Sequence, residues 1–466
     1  MKTGLYTSPH IATFRERIQI DGKYISAEDV EDILPDVFEK CEANNIPATF
    51  FEYTTALAFR KFVESNCDVV VLEVGLGGRL DATNVIGRPA LSVITAIQYD
   101  HMATLGDNLN DIALEKGGII KPDAVYGVLV GPGCPHDVLQ QTTFEVNKSL
   151  NYYQIDDADL LPPADRLYPQ SQLKDVDVKA DLSRAGRPLE VLPKVDIDWL
   201  NTDIARAAVN ILSGDNYFYG RNNDVVDDSY ILIRRYQMLN DCLAALKPEQ
   251  LTRALSVRPP CRFERLCVST SSVGGALHAT PHNSNGGVTT QTDIVEVVLD
   301  LAHNEGAIAS LIEKLRCVYG DGDNVRFRFV VGMASDKDVR ACVEVIHASG
   351  VINSDSSQLY CVEAQHPRAL SRAELKDIVC DIMGDGCGTI LSSPEQRVEN
   401  VAITLRGLIE EGLQSQADGG PKEVVVVFGT AFIMADCKKT LGCYNITSSS
   451  GEVVVDQELA DDFEMF

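Results

Sequence analysis

The chain has 466 residues, of which 45% are hydrophobic, and a formal net charge of -27 at pH 7. We expect two or three domains at this length, because a single hydrophobic core stops growing at roughly 250 residues. The negative charge argues against a nucleic acid partner, since polyanions are bound by clustered lysine and arginine side chains. No apolar run reaches the roughly 18 residues of a membrane span, and the N-terminus lacks a secretory signal pattern. These features predict a cytosolic protein without a membrane partner.

The cysteine pattern adds to this expectation. Thirteen cysteines are present, and none of them forms a C-x-x-C pair with another. An odd total without paired spacing is unlike a disulfide framework or a zinc site. We therefore expect reduced and mostly buried thiols.

The first half of the chain alternates helical and strand patterns. A helix is expected over Phe51–Glu64, and the apolar runs Val69–Leu72, Ala90–Ile97 and Val125–Val130 are typical of strands. Short apolar runs that end in turn residues are typical of parallel strands with both faces buried. Repetition of strand, loop and helix predicts an α/β fold with a parallel sheet.

Composition changes near the middle of the chain. Prolines and charges between residues 155 and 197 predict an irregular insertion, after which helical periodicity returns at Asn201–Leu212 and Ile231–Leu246. Arg258-Pro259-Pro260 is expected to be a linker, because consecutive prolines stop a helix and stiffen the chain. A second α/β unit follows, with strands expected at Glu296–Leu301, Arg326–Val331, Leu359–Val362 and Val424–Phe428.

Two segments of low complexity accompany the second unit. Ser269–Thr292 is rich in Ser, Thr, Gly and Asn, and the tail after Ser448 is acidic. We expect both to be disordered, because they offer little apolar surface to bury. The predicted domains are therefore 1–257, with the insertion at about 155–197, then 258–448, and a tail at 449–466.

Residues at the ends of the expected strands suggest a binding site. In open α/β sheets, ligands bind beyond the carboxyl ends of the strands, and here Glu73 and the pair Asp100-His101 occupy two such ends. A carboxylate and an imidazole that converge suit a divalent metal bridging nucleotide phosphates. An Asp-His pair alone is more often structural. The segment Gly75–Asn84 does not fit a dinucleotide fingerprint, since Leu80 stands where the third glycine belongs.

Several short motifs follow one another along the chain. The longest is Leu72-Glu-Val-Gly-Leu-Gly-Gly-Arg-Leu-Asp-Ala-Thr-Asn84. The others are Thr3-Gly-Leu-Tyr-Thr-Ser-Pro-His10, Arg15-Glu-Arg-Ile18, Phe50-Phe-Glu-Tyr53, Asp100-His101, Glu115-Lys-Gly-Gly-Ile-Ile-Lys121, Arg262-Phe-Glu264, Leu299-Asp-Leu-Ala-His-Asn304 and Gly332-Met-Ala-Ser-Asp-Lys337. In this order they resemble the folylpolyglutamate synthase and dihydrofolate synthase family of the Mur ligase superfamily. The resemblance implies a P-loop-type parallel-sheet ATPase domain followed by a smaller Rossmann-like domain.

The resemblance also implies an activity. ATP would phosphorylate a carboxylate of a folate-type acceptor, and the amine of L-glutamate would attack the acyl phosphate. Carried over by motif, Ser8, Glu73 and His101 would be magnesium ligands, with two magnesium sites implied, and Lys116 would be a carbamylated lysine; Glu73, His101 and Lys116 would form the catalytic set. ATP would contact Asn240, Arg262, Asp300 and His303, and the folate group would contact Thr49, Asp81 and Ala82. Asn240 and Asp300 would otherwise read as capping or turn residues.

Two departures from the family pattern stand out. Family members carry G-x-x-G-K-G-[ST] about 20 residues before the Thr-Ser-Pro-His segment, whereas here that segment begins at Thr7 and Gly22-Lys23 lacks the flanking residues. We expect a chain without this phosphate-binding loop, its helix and its strand to bind ATP poorly and to expose a strand edge. An incomplete gene model is the interpretation we favour. Cys261, where the family has glycine, is the second departure.

Two functions follow from these observations. The first is a ligase acting on dihydropteroate or on a reduced folate, with dihydrofolate synthase or bifunctional activity favoured by the segments Gly78–Asn84 and Gly429–Met434. The second is a catalytically impaired remnant that binds folate or a partner protein. We expect a monomer in the cytosol, with a mitochondrial or plastid targeting segment left open by the N-terminal departure.

Overall fold

The computed structural model describes residues 1–155, 197–213, 238–255, 259–270, 277–281, 294–320, 325–351, 358–384, 386–393, 396, 399–443, 445–447 and 453–455. The chain forms two compact units. The first comprises Met1–Ser8 and Ile18–Val257, and the second comprises Pro9–Arg17 and Arg258–Phe466. The expected insertion at 155–197 lies, apart from its ends, outside the described residues.

Helices and short strands alternate through most of the first unit. Its strands are β1 (Thr3–Tyr6), β2 (Ile18–Ile20), β3 (Lys23–Tyr24), β4 (Val69–Leu72), β5 (Leu91–Ile94), β6 (Gly127–Val130) and β7 (Tyr152–Gln154). Its helices are α1 (Ala27–Ala43), α2 (Phe50–Glu64), α3 (Met102–Leu105), α4 (Leu109–Gly117), α5 (His136–Val146), α6 (Ile197–Leu212), α7 (residues 238–244) and α8 (Pro248–Leu255). The helix expected from Phe51 and the three strands expected after it are confirmed.

The strands of the first unit lie in two sheets. One has the order β3-β2-β1-β4, in which β1 pairs with β4 in parallel and with β2 antiparallel. The other has the order β5-β6-β7 and is parallel throughout. A core cluster of α4, α5 and β6 side chains, which includes Ile112, Leu139 and Val128, supports this second sheet. The carboxyl ends of β5 and β6 therefore lie at one edge.

β4 is less buried than its sequence predicts. The run Val69–Leu72 reads as a strand with both faces covered, but Val70 is 37% exposed and Val71 is 57% exposed. Among the described strands, β4 pairs only with β1, so one of its edges has no strand beside it. By contrast, all four residues of β6 are buried.

Side-chain caps fix where several helices begin. Ser26 caps α1 and Thr49 caps α2, each with a capping box in which the third helical residue returns a hydrogen bond. Such a cap satisfies backbone N–H groups that have no partner in the first turn. Ser371 caps a helix of the second unit in the same way.

The second unit is built on one large sheet. Its strands are β8 (Glu264–Thr270), β9 (Leu277–Pro281), β10 (Val295–Asp300), β11 (Val325–Gly332), β12 (Gln358–Cys361), β13 (Gly388–Thr389), β14 (Lys422–Gly429), β15 (Asn445–Thr447) and β16 (Val453–Val455). Its helices are α9 (Glu305–Tyr319), α10 (Val339–Ser349), α11 (Arg372–Met383), α12 (Asn400–Ala417) and α13 (Ala431–Thr440). The four strands expected in this unit are confirmed.

The seven-stranded sheet has the order β13-β12-β11-β14-β10-β8-β9. The five strands from β13 to β10 are parallel, and β8 and β9 are antiparallel. Helices cover both faces: α12 and α13 pack on the side of Val297 and Leu299, and α9, α10 and α11 pack on the side of Val298. Burial on both faces explains the continuous apolar runs of its central strands.

Two expectations of disorder are wrong in part. Within Ser269–Thr292, residues Leu277–Pro281 form β9, which pairs with β8 and buries Leu277. Within the tail after Ser448, residues Val453–Val455 form β16, which pairs with β15. In both stretches the backbone N–H and C=O groups pair with a neighbouring strand, which the composition of the whole segment does not reveal. Ser269 and Thr270 end β8, and the other residues of both segments lie outside the described part of the chain. No helix among the described residues is both long and apolar enough to cross a membrane.

Candidate functional site

Glu73 and Ser8 meet where two parallel strands of the first unit end. β1 and β4 run side by side up to Tyr6 and Leu72. The Ser8 backbone N–H donates a hydrogen bond of 2.8 Å to Glu73 Oε2, and the Glu73 N–H donates one of 2.9 Å to the Tyr6 carbonyl. The structure thus brings together two of the three expected metal ligands. Glu73 is exposed and Ser8 is half-buried, so both are accessible to a ligand.

The glycine-rich loop after β4 is organised by Asp81. One carboxylate oxygen of Asp81 accepts hydrogen bonds of 3.0 Å from the N–H groups of Gly75 and Leu76. The other oxygen accepts bonds of 2.9 Å and 2.5 Å from the backbone and the hydroxyl of Thr83. Asp81 therefore closes the loop and caps the short 3-10 helix Ala82–Val85. Ala82, the other expected folate contact in this loop, is half-buried at the start of that turn.

This loop packs tightly against the end of α4. A Cβ atom on Gly78 would lie 2.8 Å from the Lys116 carbonyl oxygen, and one on Gly118 would lie 2.4 Å from Arg79 Cβ. Side chains larger than hydrogen are therefore excluded at both glycines. Arg79 also forms a two-pronged ion pair with Glu115, at 2.9 and 3.1 Å from Glu115 Oε1. The motif around Gly75–Asn84 and the motif around Lys116 thus specify one packed substructure.

Lys116 is half-buried in the last turn of α4. Burial lowers the pKa of its amine, while the charge of Asp100 and the Cys134 thiol act in the opposite direction. Burial raises the pKa of the Cys134 thiol to about 12, against the effect of a backbone hydrogen bond at Ile97 and of Lys116. Lys116, Asp100 and Cys134 therefore interact at the carboxyl edge of β5 and β6. Cys134 is not among the site residues predicted from the sequence.

His101 has an unusual backbone at the start of α3. Its φ angle is 51°, in the left-handed region that few residues other than glycine adopt. The Asp100 carboxylate accepts the His101 N–H at 2.9 Å, and the imidazole Nε2 lies 3.9 Å from the same carboxylate oxygen. His101 is exposed, and the Asp100 carboxylate holds its backbone through this hydrogen bond.

Thr49 and Asn240 each have a local partner. The Thr49 N–H donates to Glu52 Oε2 at 2.6 Å and the Thr49 hydroxyl accepts the Glu52 N–H at 3.3 Å, which is the capping box of α2. Asn240 lies on α7, and its side-chain oxygen accepts a hydrogen bond of 2.6 Å from the Tyr126 hydroxyl. The sequence did not predict a role for Tyr126, because a tyrosine within a predicted strand carries no distinctive signal.

In the second unit, Asp300 is the central buried group. It ends β10 at 8% exposure, and its two oxygens accept 2.8 Å hydrogen bonds from the N–H groups of Phe263 and Ala302. Burial raises the pKa of Asp300, against the effects of these donors, Lys314 and Arg262. Arg262 is exposed beside it. The His303 ring nitrogen Nδ1 lies 2.7 Å from the Leu301 carbonyl, so this nitrogen carries the proton.

The side chains of Glu73 and Ser8 suit magnesium, which needs few protein ligands, better than they suit a metal held by protein side chains alone. Among the described residues, no group of three His, Cys, Asp or Glu side chains is spaced to hold a metal ion. Magnesium usually takes one or two carboxylates and completes its shell with water and substrate phosphates. The Glu73 carboxylate beside Ser8 meets that requirement.

The sequence is similar to those of named folate synthases. A putative folylpolyglutamate synthase of Caenorhabditis elegans is 44% identical over 125 residues, which is 26% of this chain and 24% of that protein. A dihydrofolate synthase/folylpolyglutamate synthase of Buchnera aphidicola is 27% identical over 345 residues, which is 74% of this chain and 65% of that protein. No protein-family model matches the chain.

The chain is thus similar in sequence to proteins named folylpolyglutamate synthase and dihydrofolate synthase. Solved structures agree on the fold. Escherichia coli FolC in complex with DHPP and ADP matches with a TM-score of 0.58 at 21% identity, over 95% of this chain and 82% of that one. Mycobacterium tuberculosis folylpolyglutamate synthase complexed with ADP matches with a TM-score of 0.60 at 22% identity, over 95% and 84%. The α/β fold class expected from the sequence is confirmed.

The two sequence matches cover only part of each relative. The chain spans less than two thirds of the length of the two curated folate synthases, at 24% and 65%. The family motifs that the structure explains best are those around Gly78, Asp81 and Lys116, where spacing and packing coincide.

Proposed function

We propose that the chain is an ATP-dependent ligase of the folylpolyglutamate and dihydrofolate synthase type, which adds L-glutamate to a folate-type carboxylate. The observation that carries the proposal is the Glu73 carboxylate, held against Ser8 where β1 and β4 end. Ligands of open α/β sheets bind at this edge. The similarity to named folate synthases supplies the class of substrate.

The proposed reaction has two steps. An acceptor carboxylate attacks the γ-phosphorus of ATP, so that an acyl phosphate forms and ADP leaves. The amine of glutamate then attacks the acyl carbon, phosphate leaves with the electron pair of the C–O bond, and a proton is lost from nitrogen. Both steps develop negative charge on phosphoryl oxygens, which fixed positive groups must neutralise.

Ser8, Glu73 and His101 are the proposed magnesium ligands, and a second magnesium site is proposed near the first. Bound magnesium would neutralise charge on the transferred phosphoryl group. The Glu73 carboxylate supplies negative charge, and the Ser8 hydroxyl lies on a residue whose backbone Glu73 already holds. The Asp100 carboxylate fixes the backbone of His101 by accepting its N–H.

Lys116 is the proposed site of carbamylation. Burial lowers the pKa of its amine, and the neutral amine is the form that adds to carbon dioxide. A bond would form between Nζ and the carbon of CO2, and one amine proton would pass to solvent. The product is a carboxylate on a half-buried side chain at the edge where Asp100 lies.

The remaining site residues are proposed from the family motifs, unit by unit. In the first unit, Asn240 would contact the nucleotide, and Thr49, Asp81 and Ala82 would shape the folate site. Because both Asp81 oxygens bind its own loop, its contribution is to hold that loop in place. In the second unit, Arg262, Asp300 and His303 would contact the nucleotide.

The proposal also covers the acceptor, the oligomeric state and the cellular compartment. Dihydropteroate and a reduced folate are the two candidate acceptors, and the enzyme is proposed to act as a monomer. All thirteen cysteines are free thiols in the structure. Free thiols suit a reducing compartment such as the cytosol.

The test is acceptor-dependent release of ADP. We expect the full-length protein, given ATP, magnesium and glutamate, to release ADP when dihydropteroate or tetrahydrofolate is added, and a chromatographic assay identifies the new amide. Glu73→Gln should lower kcat by roughly a hundredfold or more, because a neutral amide cannot replace a metal-binding carboxylate. Glu64→Gln, which changes an exposed glutamate paired with Arg60, is the matched control and should leave kcat unchanged.

The outcomes separate the candidate functions. If neither dihydropteroate nor tetrahydrofolate causes release of ADP, the ligase proposal is contradicted. Binding of folate or of ATP without turnover would favour the impaired binding protein. The acceptor that gives the higher kcat/KM would assign the chain to one of the two synthase activities.

A further inference from the structure

The turn Cys261-Arg262-Phe263 has a strained backbone. Cys261 has a φ angle of 54° and Phe263 one of 52°, so both residues that flank Arg262 are in the left-handed region. This conformation costs roughly 1 kcal/mol for a residue with a Cβ atom, and it persists only where surrounding contacts fix it. The contacts that hold this turn therefore decide where Arg262 lies.

Two carboxylates hold the turn from either side. Glu264 Oε2 accepts the Cys261 N–H at 2.8 Å, and Asp300 Oδ2 accepts the Phe263 N–H at 2.8 Å. The Leu301 N–H donates a bond of 2.9 Å to the Cys261 carbonyl, which ties the turn to the end of β10. Both amides that flank Arg262 thus depend on a carboxylate.

Lys438 fixes the first of these carboxylates. Its ammonium donates to Glu264 Oε1 at 3.0 Å, and the two side chains are only 14% and 27% exposed. Burial acts to lower the pKa of Lys438, but the Glu264 carboxylate outweighs it, so the pKa is raised and the lysine stays charged. A buried ion pair has a defined geometry, because both groups would be strongly destabilised without each other.

We propose that Lys438 and Glu264 are positioning residues, which set the backbone of the Cys261–Phe263 turn and thereby aim Arg262 at the nucleotide. The pair does not touch the nucleotide; it acts through the Cys261 amide. The role of Arg262 rests on the proposed function, whereas the positioning of the turn does not.

Hydrogen exchange tests the positioning without any ligand. In Lys438→Met, we expect the amides of Cys261 and Phe263 to exchange at least about tenfold faster than in the wild type, because Glu264 is no longer fixed. Lys438→Arg keeps the charge and should restore slow exchange. If Lys438→Met does not fold, Glu264→Gln takes its place. Glu264→Gln keeps the shape of the side chain and an acceptor oxygen, and its Cys261 and Phe263 amides should exchange at an intermediate rate.

The matched control breaks a similar ion pair elsewhere in the same unit. Lys422 Nζ lies 2.9 Å from the buried Glu296 carboxylate, at the opposite ends of the strands. Lys422→Met should lower the free energy of unfolding of the second unit. The Cys261 and Phe263 amides should then exchange no faster than this loss of global stability requires. Equal acceleration in Lys422→Met and Lys438→Met would overturn the proposal, since the effect would then be general destabilisation.

A double-mutant cycle on ADP affinity tests the link to Arg262. With magnesium present, calorimetry should show about tenfold weaker ADP binding in Lys438→Met and in Arg262→Ala, and little further loss in the double variant. Additive losses would overturn the link, because Lys438 would then act elsewhere. Undetectable ADP binding by the wild type, or normal binding by Arg262→Ala, would contradict the proposed function at Arg262, and the exchange result would still decide the positioning.

Discussion

Asp81 has both of its carboxylate oxygens occupied within its own loop. It accepts the N–H groups of Gly75 and Leu76 on one side and two groups of Thr83 on the other. The family resemblance implies a folate contact at this position, whereas the structure gives the side chain a role in closing the loop. The two readings differ in what happens without a ligand.

We expect Asp81→Ala to loosen residues 75–84 in the free protein. Three backbone N–H groups would lose a charged acceptor, at a cost of about 2 kcal/mol in local opening, or roughly thirtyfold faster amide exchange there. Exchange measured by mass spectrometry on a peptide that spans the loop checks this. Asp123→Ala, at an exposed turn position of the same unit, should leave the loop unchanged. Unaltered exchange in Asp81→Ala would show that its role is confined to ligand binding.

Residue types at strand ends were predictable from the sequence, but their partners were not. Glu73 and Asp100 follow apolar runs, so their position at the edge of a sheet could be inferred. That Ser8 supplies an N–H to Glu73, or that Cys134 lies near Lys116, depends on how strands far apart in sequence pair. Thr49 illustrates the converse, because its capping role follows from the local pattern Thr-x-x-Glu alone.

At the scale of elements, an apolar run predicts that a strand forms, but it does not predict how far that strand is buried. β4 and β6 are both apolar, yet β6 is buried throughout and Val71 of β4 is 57% exposed. Burial depends on which neighbours cover a strand, and that is a tertiary property. β9 shows the opposite error, since a segment of low complexity pairs with β8 and buries Leu277.

Side chains from three strands of the second unit form a buried charge network around Glu296, near the amino ends of β10 and β14. Glu296 on β10, at 3% exposure, binds Arg265 on β8 at 2.5 Å and Lys422 on β14 at 2.9 Å. Burial acts to raise the pKa of Glu296, but hydrogen bonds from Arg265, Tyr319 and Lys422 outweigh it and lower the pKa below 4.5. The carboxylate is therefore ionised in the folded unit.

We expect Glu296→Gln to destabilise the second unit by about 3 kcal/mol at pH 7, because two cations lose their buried partner. A carboxylate with a lowered folded pKa stabilises above its unfolded pKa, and this stability is lost as the pH falls through the folded pKa. The difference between wild type and variant should therefore be full at pH 7 and shrink below pH 4.5. Urea unfolding across this range measures it.

The control for this substitution is an exposed ion pair of the same unit. Glu313 pairs with Arg316 at 3.0 Å, with Glu313 59% exposed. Glu313→Gln should cost well under 1 kcal/mol at any pH, as is usual for surface pairs. A difference for Glu296→Gln that stays constant down to pH 3 would contradict the assignment of the pH dependence to this carboxylate.

At the scale of the whole molecule, the order of the chain does not match the division into units. Pro9–Arg17 belongs to the second unit, although the strands before and after it, β1 and β2, belong to the first. Ile11 is 7% exposed in a core cluster with Cys261, Val425 and Val427. Glu16 accepts the N–H groups of Ile11, Ala12 and Thr13, which fixes the segment locally. Nothing in the local sequence marks this membership, because it arises from packing with strands far along the chain.

We therefore expect Ile11→Ala to weaken the second unit, even though the substitution lies near the N-terminus. Loss of a buried isoleucine should cost about 3 kcal/mol and speed exchange in β14, whose Val425 and Val427 share the cluster. Ile112→Ala is the matched control, since Ile112 packs with Val128 and Val130 and should speed exchange in β6 instead. If Ile11→Ala accelerated exchange in β6 and left β14 protected, the segment would belong to the first unit. A reciprocal result would establish that the substitution acts through the second core, because each isoleucine would then loosen only the strand with which it packs.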